Sequence, residues 1–136
     1  MPIKNIDLFG IRLNDISYAE ILDSIKLSIQ NQKQLTICYV NVNSINLSMM
    51  NSKLKNLFLE FDVVHSDGFG LFLGSKILYG KHGLAHRLSG SDLYEKLIYH
   101  CIKHNYKLFF FGDKDETLER IKQKYPQLSL VGTHNG

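Results

Sequence analysis

Hydrophobic and polar positions along the chain alternate between two periods, and the switch between them predicts the elements. Ile6, Leu8, Ile11 and Leu13 alternate with polar residues around Gly10, which predicts a short hairpin. Ser17 and Glu20 then stand at capping-box spacing, and Ile21, Leu22, Ile25 and Ile29 follow at helical spacing, so a helix is expected to about Asn31. Leu35 to Val40 is a compact apolar strand, after which Asn43 and Ser44 are expected to cap helical turns carrying Ile45, Leu47, Met49 and Met50. A helix from Ser52 to Leu59, a strand from Phe61 to His65 and an apolar helix from Phe69 to Tyr79 come next, and then a loop over Gly80 to Ala85. From Ser91, Leu93, Leu97, Ile98, Cys101 and Ile102 share one helix face, with Asn105 suited to a left-handed cap. Lys107 to Phe111 reads as a strand, Lys114 to Lys124 as a helix ended by Pro126, and Leu128 to Val131 as a last strand. Strands alternating with helices predict an α/β, Rossmann-like domain: a mainly parallel sheet with helices on both faces and a short N-terminal hairpin.

Composition narrows the picture. A chain of 136 residues, 44% of them hydrophobic, is expected to be one globular domain spanning 1–136. Sixteen basic residues against 13 acidic give a net charge of +3, scattered rather than striped, which disfavours nucleic acid as a partner. Cys38 and Cys101 are isolated and no secretory signal precedes them, so they read as reduced thiols of a cytosolic protein. No apolar run approaches the roughly 18 residues of a membrane span, which leaves peripheral contact as the available mode.

Candidate chemistry gathers at strand ends, since ligands of open parallel sheets bind outside the carboxyl ends of strands. Asn41 and Asn43 follow one strand, Ser66, Asp67 and Gly68 the next, and Gly112 and Asp113 another. Each has a plain alternative as a helix cap, and Asp67 could cap a helix starting near Gly68. Val63, Val64, Phe69, Leu71 and Phe72 flank Asp67, and partial desolvation raises a carboxylate's proton affinity toward that of a general base. Arg87-Leu88-Ser89-Gly90-Ser91-Asp92 leads into a helix, either as a cap or as an oxyanion site built from Arg87 and a helix start. Asp113-Lys114-Asp115 matches a metal-binding DxD pattern, but Asp113 to Glu116 fits a capping box better. His82 with His86 and His100 with His104 lack a third ligand, so no metal site is expected. Walker A, G-x-G-x-x-G and G-x-S-x-G patterns are absent.

In order and spacing, several of these segments resemble the WecG/TagA/CpsF glycosyltransferases: Leu8-Phe9-Gly10-Ile11, Asn41-Val42-Asn43, Asp67-Gly68-Phe69-Gly70, Arg87 to Leu93, Phe110-Phe111-Gly112, and Pro126 to Gly136. The resemblance covers nearly the whole chain. It implies an inverting transfer of an N-acetylhexosamine such as N-acetylmannosamine, or a hexose, from a UDP-sugar to a polyprenyl-diphosphate-linked acceptor in bacterial cell-surface polysaccharide or teichoic acid synthesis. It implies Asp67 as catalytic base, with Asn43 and Arg87 as further catalytic residues. Asn41, Gly68, Gly90, Gly112 and Gly136 fall on substrate-binding positions, and the implied chemistry needs no metal or cofactor. Asn41 stands where the family usually has Thr, and Gly112-Asp113 where Gly-Gly is frequent. The implied location is the cytoplasm, with peripheral contact at the inner face of the bacterial cytoplasmic membrane in full-length relatives, and oligomers are compatible with it. Relatives usually continue beyond the position of Gly136, so the expectation is a C-terminally truncated enzyme. The alternative is a catalytically inactive nucleotide-binding or assembly fragment.

Overall fold

The computed structural model describes residues 3–136. They form two compact units that meet in sequence between Leu93 and Tyr94.

The first unit opens with an antiparallel hairpin, β1 (Lys4–Leu8) and β2 (Ile11–Asp15), in which Leu8 pairs with Ile11. Its two turn residues, Phe9 and Gly10, both take positive φ (56° and 78°), the geometry a tight two-residue hairpin turn requires. Alternation then puts Ile6, Leu8, Ile11 and Leu13 on one face, where all four are buried. Full burial of each such side chain contributes about 1.5–3 kcal/mol. Asp15 continues that inward series and is buried with them.

Helix α1 (Tyr18–Gln30) starts on the expected capping box, with Ser17 Oγ accepting from Glu20 N and Glu20 Oε2 accepting from Ser17 N at 2.8 Å. Strands β3 (Ile37–Val40) and β4 (Val63–Ser66) pair in parallel, Ile37 with Val63 and Val40 with Ser66. Both are shorter at their amino ends than the apolar runs suggest. Asp62 instead accepts from Thr36 N and Thr36 Oγ1 at 2.7 and 2.8 Å, clamping the entry to the pair. Between these strands lie α2 (Val42–Met50) and α3 (Ser52–Leu59), and β4 leads into α4 (Phe69–Tyr79) and a single 3-10 turn, Gly80–His82. Asn14 Oδ1 accepts the Val64 amide at 2.6 Å, so a side chain joins the hairpin to β4 where no ladder does. The core gathers the hairpin residues with Val40, Ile45, Val64, Leu71 and Leu84, and Ile16, Ile21, Val63 and Leu88 form a second cluster.

Helix α5 (Gly90–His104) crosses into the second unit and ends as expected at Asn105 (φ 54°), with Tyr106 N donating to Cys101 O. That unit adds β5 (Leu108–Phe111), α6 (Asp115–Lys124) and β6 (Leu130–His134), with β5 and β6 parallel around a core of Ile98, Cys101, Tyr125 and Leu128. Two expectations change here. The last strand is not Leu128 to Val131, because Leu128 is drawn into that core and its amide closes a turn onto Tyr125 O. The capping box at Asp113 and Glu116 does not form, because Asp113 is left-handed (φ 68°) and Lys114 occupies the cap position. Parallel strands separated by helices, after an antiparallel hairpin, make this an α/β fold with mainly parallel pairing, held in three two-stranded sheets among the described residues.

Two buried polar groups in the first unit contribute to its response to acid. His65 is buried, and burial pushes its imidazole below the ordinary value, against smaller opposing effects of Ser66 O, which accepts from Nδ1, and of the Asp67 charge. Burial alone would raise Asp15. The amides of Ala85 and His86 and the His86 ring outweigh it and hold the carboxyl below its ordinary range. Both folded values lie below the unfolded ones, so both groups contribute stability that is present at neutral pH and lost on acidification. For His65 the loss begins as pH falls below 6.5 and is complete below its lower folded value, and for Asp15 it begins below 3.8. Unfolding free energy from urea titrations followed across pH should therefore fall first below 6.5 and again in the carboxylate range, and His65→Leu should remove the upper fall alone.

Gly83 tests the packing of α4. A Cβ there would lie 2.6 Å from Ser75 O and 2.8 Å from Ser75 C, backbone atoms that cannot turn aside. Ser75 Oγ also accepts the Leu84 amide at 3.0 Å, fastening the same contact. Gly83→Ala should cost about 1–3 kcal/mol, read as a lower urea midpoint at unchanged slope.

Candidate functional site

The parallel register builds the site. Val40 and Ser66 are partners at the ends of β3 and β4, so the chain leaves both strands side by side, and Asp67 N donates to Val40 O at 2.8 Å. Asn41 follows β3 and Asp67 follows β4, which places two polar residues at one sheet edge. Gly68 (φ 85°) makes the sharp turn into α4 that a side-chain-bearing residue would strain. Gly70 serves a different purpose: a Cβ there would come 2.6 Å from Val42 Cγ2, so its bareness lets the first turns of α4 and α2 close on each other.

Asp67 is half-buried, and its Oδ1 accepts the amide of Gly90, the first residue of α5, at 2.8 Å. The carboxylate thus sits at the positive end of a helix, but of α5 rather than of α4, whose cap position is Gly68 and carries no side-chain bond. A Cβ on Gly90 would stand 3.6 Å from Asp67 Oδ1, in ordinary contact with the carboxylate. Gly68 N also donates to Leu88 O at 2.9 Å.

The segment from Gly83 to Gly90, which carries Arg87, is held by acceptors from separate elements. Asp15 Oδ1 takes the amides of Ala85 and His86 at 2.9 and 3.1 Å, Tyr18 Oη that of Ser89 at 2.8 Å, and Asp67 that of Gly90. Lys4 Nζ lies 3.7 Å from Asp15 and donates to His82 O at 2.8 Å. Arg87 itself is exposed, with its guanidinium 5.7 Å from the centre of the Phe69 ring, and among the described residues no carboxylate pairs with it. Its backbone is fixed while its charge stays available.

The two asparagines exchange expected duties. Asn41 is the cap of α2: its Oδ1 accepts Ser44 N at 2.9 Å and Ser44 Oγ at 3.1 Å. Asn43, expected to cap, is the second residue of α2 and is exposed, without a hydrogen bond to Asp67. In the second unit, Gly112 (φ 112°) donates its amide to His134 O, and a Cβ on Gly136 would lie 3.5 Å from Gly112 Cα, so these two candidate glycines adjoin each other. Asp115 Oδ2 receives Asn135 Nδ2 at 3.5 Å. Among the described residues no three acidic, histidine or cysteine side chains gather as a metal site. Cys38 is half-buried, and burial pushes its thiol up to about 11, so it is not a nucleophile at neutral pH.

Sequence reasoning missed Asp15 and Tyr18. The signal for Asp15 was present, since it continues the inward alternation of Ile11 and Leu13 and so puts a carboxylate where an apolar residue belongs. Nothing local distinguishes Tyr18, whose partner Ser89 lies 71 positions away.

Comparisons with known proteins bear on the family. Residues 6–136 match the model of the glycosyl transferase WecG/TagA/CpsF family. The chain is 24% identical over 135 residues to proteins named N-acetylglucosaminyldiphosphoundecaprenol N-acetyl-beta-D-mannosaminyltransferase from Staphylococcus aureus strains NCTC 8325 / PS 47, COL and MRSA252. The alignment takes in 95% of this chain and 52% of each of those proteins, so the chain spans about half the length of these curated relatives. None of the helices among the described residues is long and apolar enough to cross a membrane. With the family match running through the hairpin, the Asp67 turn, the Arg87 segment and the glycines of the second unit, the chain belongs to the WecG/TagA/CpsF family of glycosyl transferases.

Proposed function

We propose that the chain carries the base-bearing part of an inverting glycosyltransferase that moves an N-acetylhexosamine, N-acetylmannosamine foremost, from a UDP-sugar to a sugar linked to a polyprenyl diphosphate. The observation that carries the reading is Asp67: a half-buried carboxylate at a parallel strand's end, with Oδ1 fixed at 2.8 Å by the amide of Gly90, which ends the segment that carries Arg87. The relatives' name supplies the acceptor class and the transferred sugar.

In the proposed step, the acceptor hydroxyl oxygen attacks the anomeric carbon from the face opposite the diphosphate. A carbon–oxygen bond to the acceptor forms as the bond to the UDP oxygen breaks, the hydroxyl proton passes to Asp67, and UDP departs with its added negative charge. Arg87 supplies a counter-charge for that oxyanion, as amides at helix starts do. Asn43, exposed on the first turn of α2, orients the acceptor sugar, and Gly68 and Gly90 keep the approach to Asp67 free of side chains. Gly112 and Gly136, which adjoin each other in the second unit, are the further substrate-binding positions of this reading. Since the counter-charges come from the chain, the reaction needs no divalent metal. A cytoplasmic protein meeting its lipid-linked acceptor at the inner face of the membrane fits this chemistry.

The structural alternative is that Asp67 only caps α5. Asp67→Asn separates the two, because the amide oxygen still accepts from Gly90 N whereas the side chain can no longer take a proton. UDP release with a lipid-linked acceptor should fall about 10²- to 10⁴-fold in Asp67→Asn while the unfolding free energy in urea stays within about 0.5 kcal/mol of wild type. Undiminished release would show that Asp67 is a cap and no base. In the same assay, excess EDTA should leave the wild-type rate unchanged, and a rate abolished by chelation and restored by magnesium or manganese would replace Arg87 with a metal as the counter-charge.

A further inference from the structure

Arg87 stands in a stretch without regular secondary structure, between the 3-10 turn Gly80–His82 and α5, yet its neighbours are tied down on both sides. Before it, Asp15 Oδ1 accepts the amides of Ala85 at 2.9 Å and His86 at 3.1 Å, and the His86 ring approaches the same oxygen at 3.2 Å. After it, Tyr18 Oη accepts the amide of Ser89 at 2.8 Å and donates to Asp92 Oδ2 at 3.3 Å. Leu88, next to the arginine, is buried in one cluster with Ile16. The short run Asp15-Ile16-Ser17-Tyr18 thus grips the chain on each side of Arg87, from 70 and 71 positions away.

The grip is stiff because it is built at the junction of two regular elements. Asp15 ends β2, Ser17 caps α1 and Tyr18 is the first residue of that helix. It also comes at a cost. The Asp15 side chain is only 3% exposed, at a position where the inward alternation of Ile11 and Leu13 calls for an apolar residue, and a buried carboxylate persists only with partners. Two amides, the His86 ring and Lys4 Nζ at 3.7 Å supply them. What this arrangement secures is the backbone around Arg87, whose own guanidinium is exposed and rests 5.7 Å from the centre of the Phe69 ring. A charge aimed from a fixed backbone stabilises an oxyanion better than one on a mobile loop, because less freedom is lost when the ligand arrives.

We propose that Asp15 and Tyr18 are positioning residues for Arg87, holding it where it meets the diphosphate of the bound nucleotide. They act through the backbone of Ala85, His86 and Ser89 and touch no substrate themselves. The inference rests on the assignment of Arg87 to the donor's diphosphate, and a double-mutant cycle read on UDP affinity keeps the two apart.

Calorimetric titration of the protein with UDP measures it. Arg87→Ala should weaken UDP binding about tenfold or more. Tyr18→Phe, which deletes one hydroxyl and keeps the ring, should weaken it about fivefold, and Asp15→Ala about tenfold. In an Arg87→Ala background both substitutions should change the affinity by less than about 1.5-fold, since no charge is left to position, whereas residues that only support the fold would weaken binding equally in both backgrounds. Asp15→Asn, whose side-chain oxygen still accepts the two amides, should recover most of the affinity that Asp15→Ala loses. Should Asp15→Ala fail to fold, Tyr18→Phe decides. Equal losses with and without Arg87, or a Tyr18→Phe affinity equal to that of the wild type, overturn the positioning role and leave the Arg87 assignment intact. Absence of UDP binding by the wild type, or an Arg87→Ala affinity equal to it, overturns that assignment and the positioning role with it.

Discussion

The hydrogen bond from Gly90 N to Asp67 Oδ1 is the contact on which the candidate site depends. It joins the end of β4 to the start of α5, segments 23 residues apart, and it works only because other constraints converge on it. Asp67 must leave the strand at a fixed height, which the β3–β4 register and its own amide bond to Val40 O supply. Gly90 must arrive with its amide free, which its place as the first residue of α5 supplies. A half-buried carboxylate oxygen without a partner would be costly, so the bond satisfies one oxygen while it fixes the loop.

That loop gains its order from side-chain acceptors rather than from secondary structure. Asp15, Tyr18 and Asp67 each accept amides on it, from the hairpin, from the first turn of α1 and from the end of β4. A segment so bound has little freedom to lose when a ligand reaches Arg87, which reduces the entropic cost of binding. Asp15 tolerates burial for the same reason: the donors it serves outweigh its desolvation. The hairpin, which contributes nothing directly to the proposed chemistry, therefore governs where the arginine stands.

How much of this could be read from the sequence depends on how local the cause is. The α1 cap, the hairpin around Gly10 and the left-handed Asn105 follow from neighbours in sequence, and all three form as expected. Asn41 and Asn43 are two residues apart and chemically identical, so composition could not choose between them. Ser44, three beyond Asn41, completes a capping box without the usual Glu or Gln, and that decided it. At β6, apolar residues alone could not separate Leu128, which packs in the core, from Leu130, which opens the strand. Asp67 was legible as a carboxylate at a strand end, but its engagement with α5 rather than α4 was not, because the choice is made by Leu88 and Gly90 arriving from a distant part of the chain.

Capping and proton transfer need not compete for Asp67, because the carboxylate has two oxygens. Oδ1 is committed to Gly90, and among the described residues Oδ2 carries no hydrogen bond, so the proposed reaction has one oxygen for position and one for the proton. Fixing the first restricts rotation of the carboxylate and so directs the second, an economy of orientation that a freely rotating aspartate lacks. Gly68 makes this arrangement possible at the backbone level: its positive φ turns the chain away from the carboxylate at once, so that α4 starts beside the site instead of across it. The strand register and Gly90 place the carboxylate, and Gly68 sets which way the apolar helix departs from it.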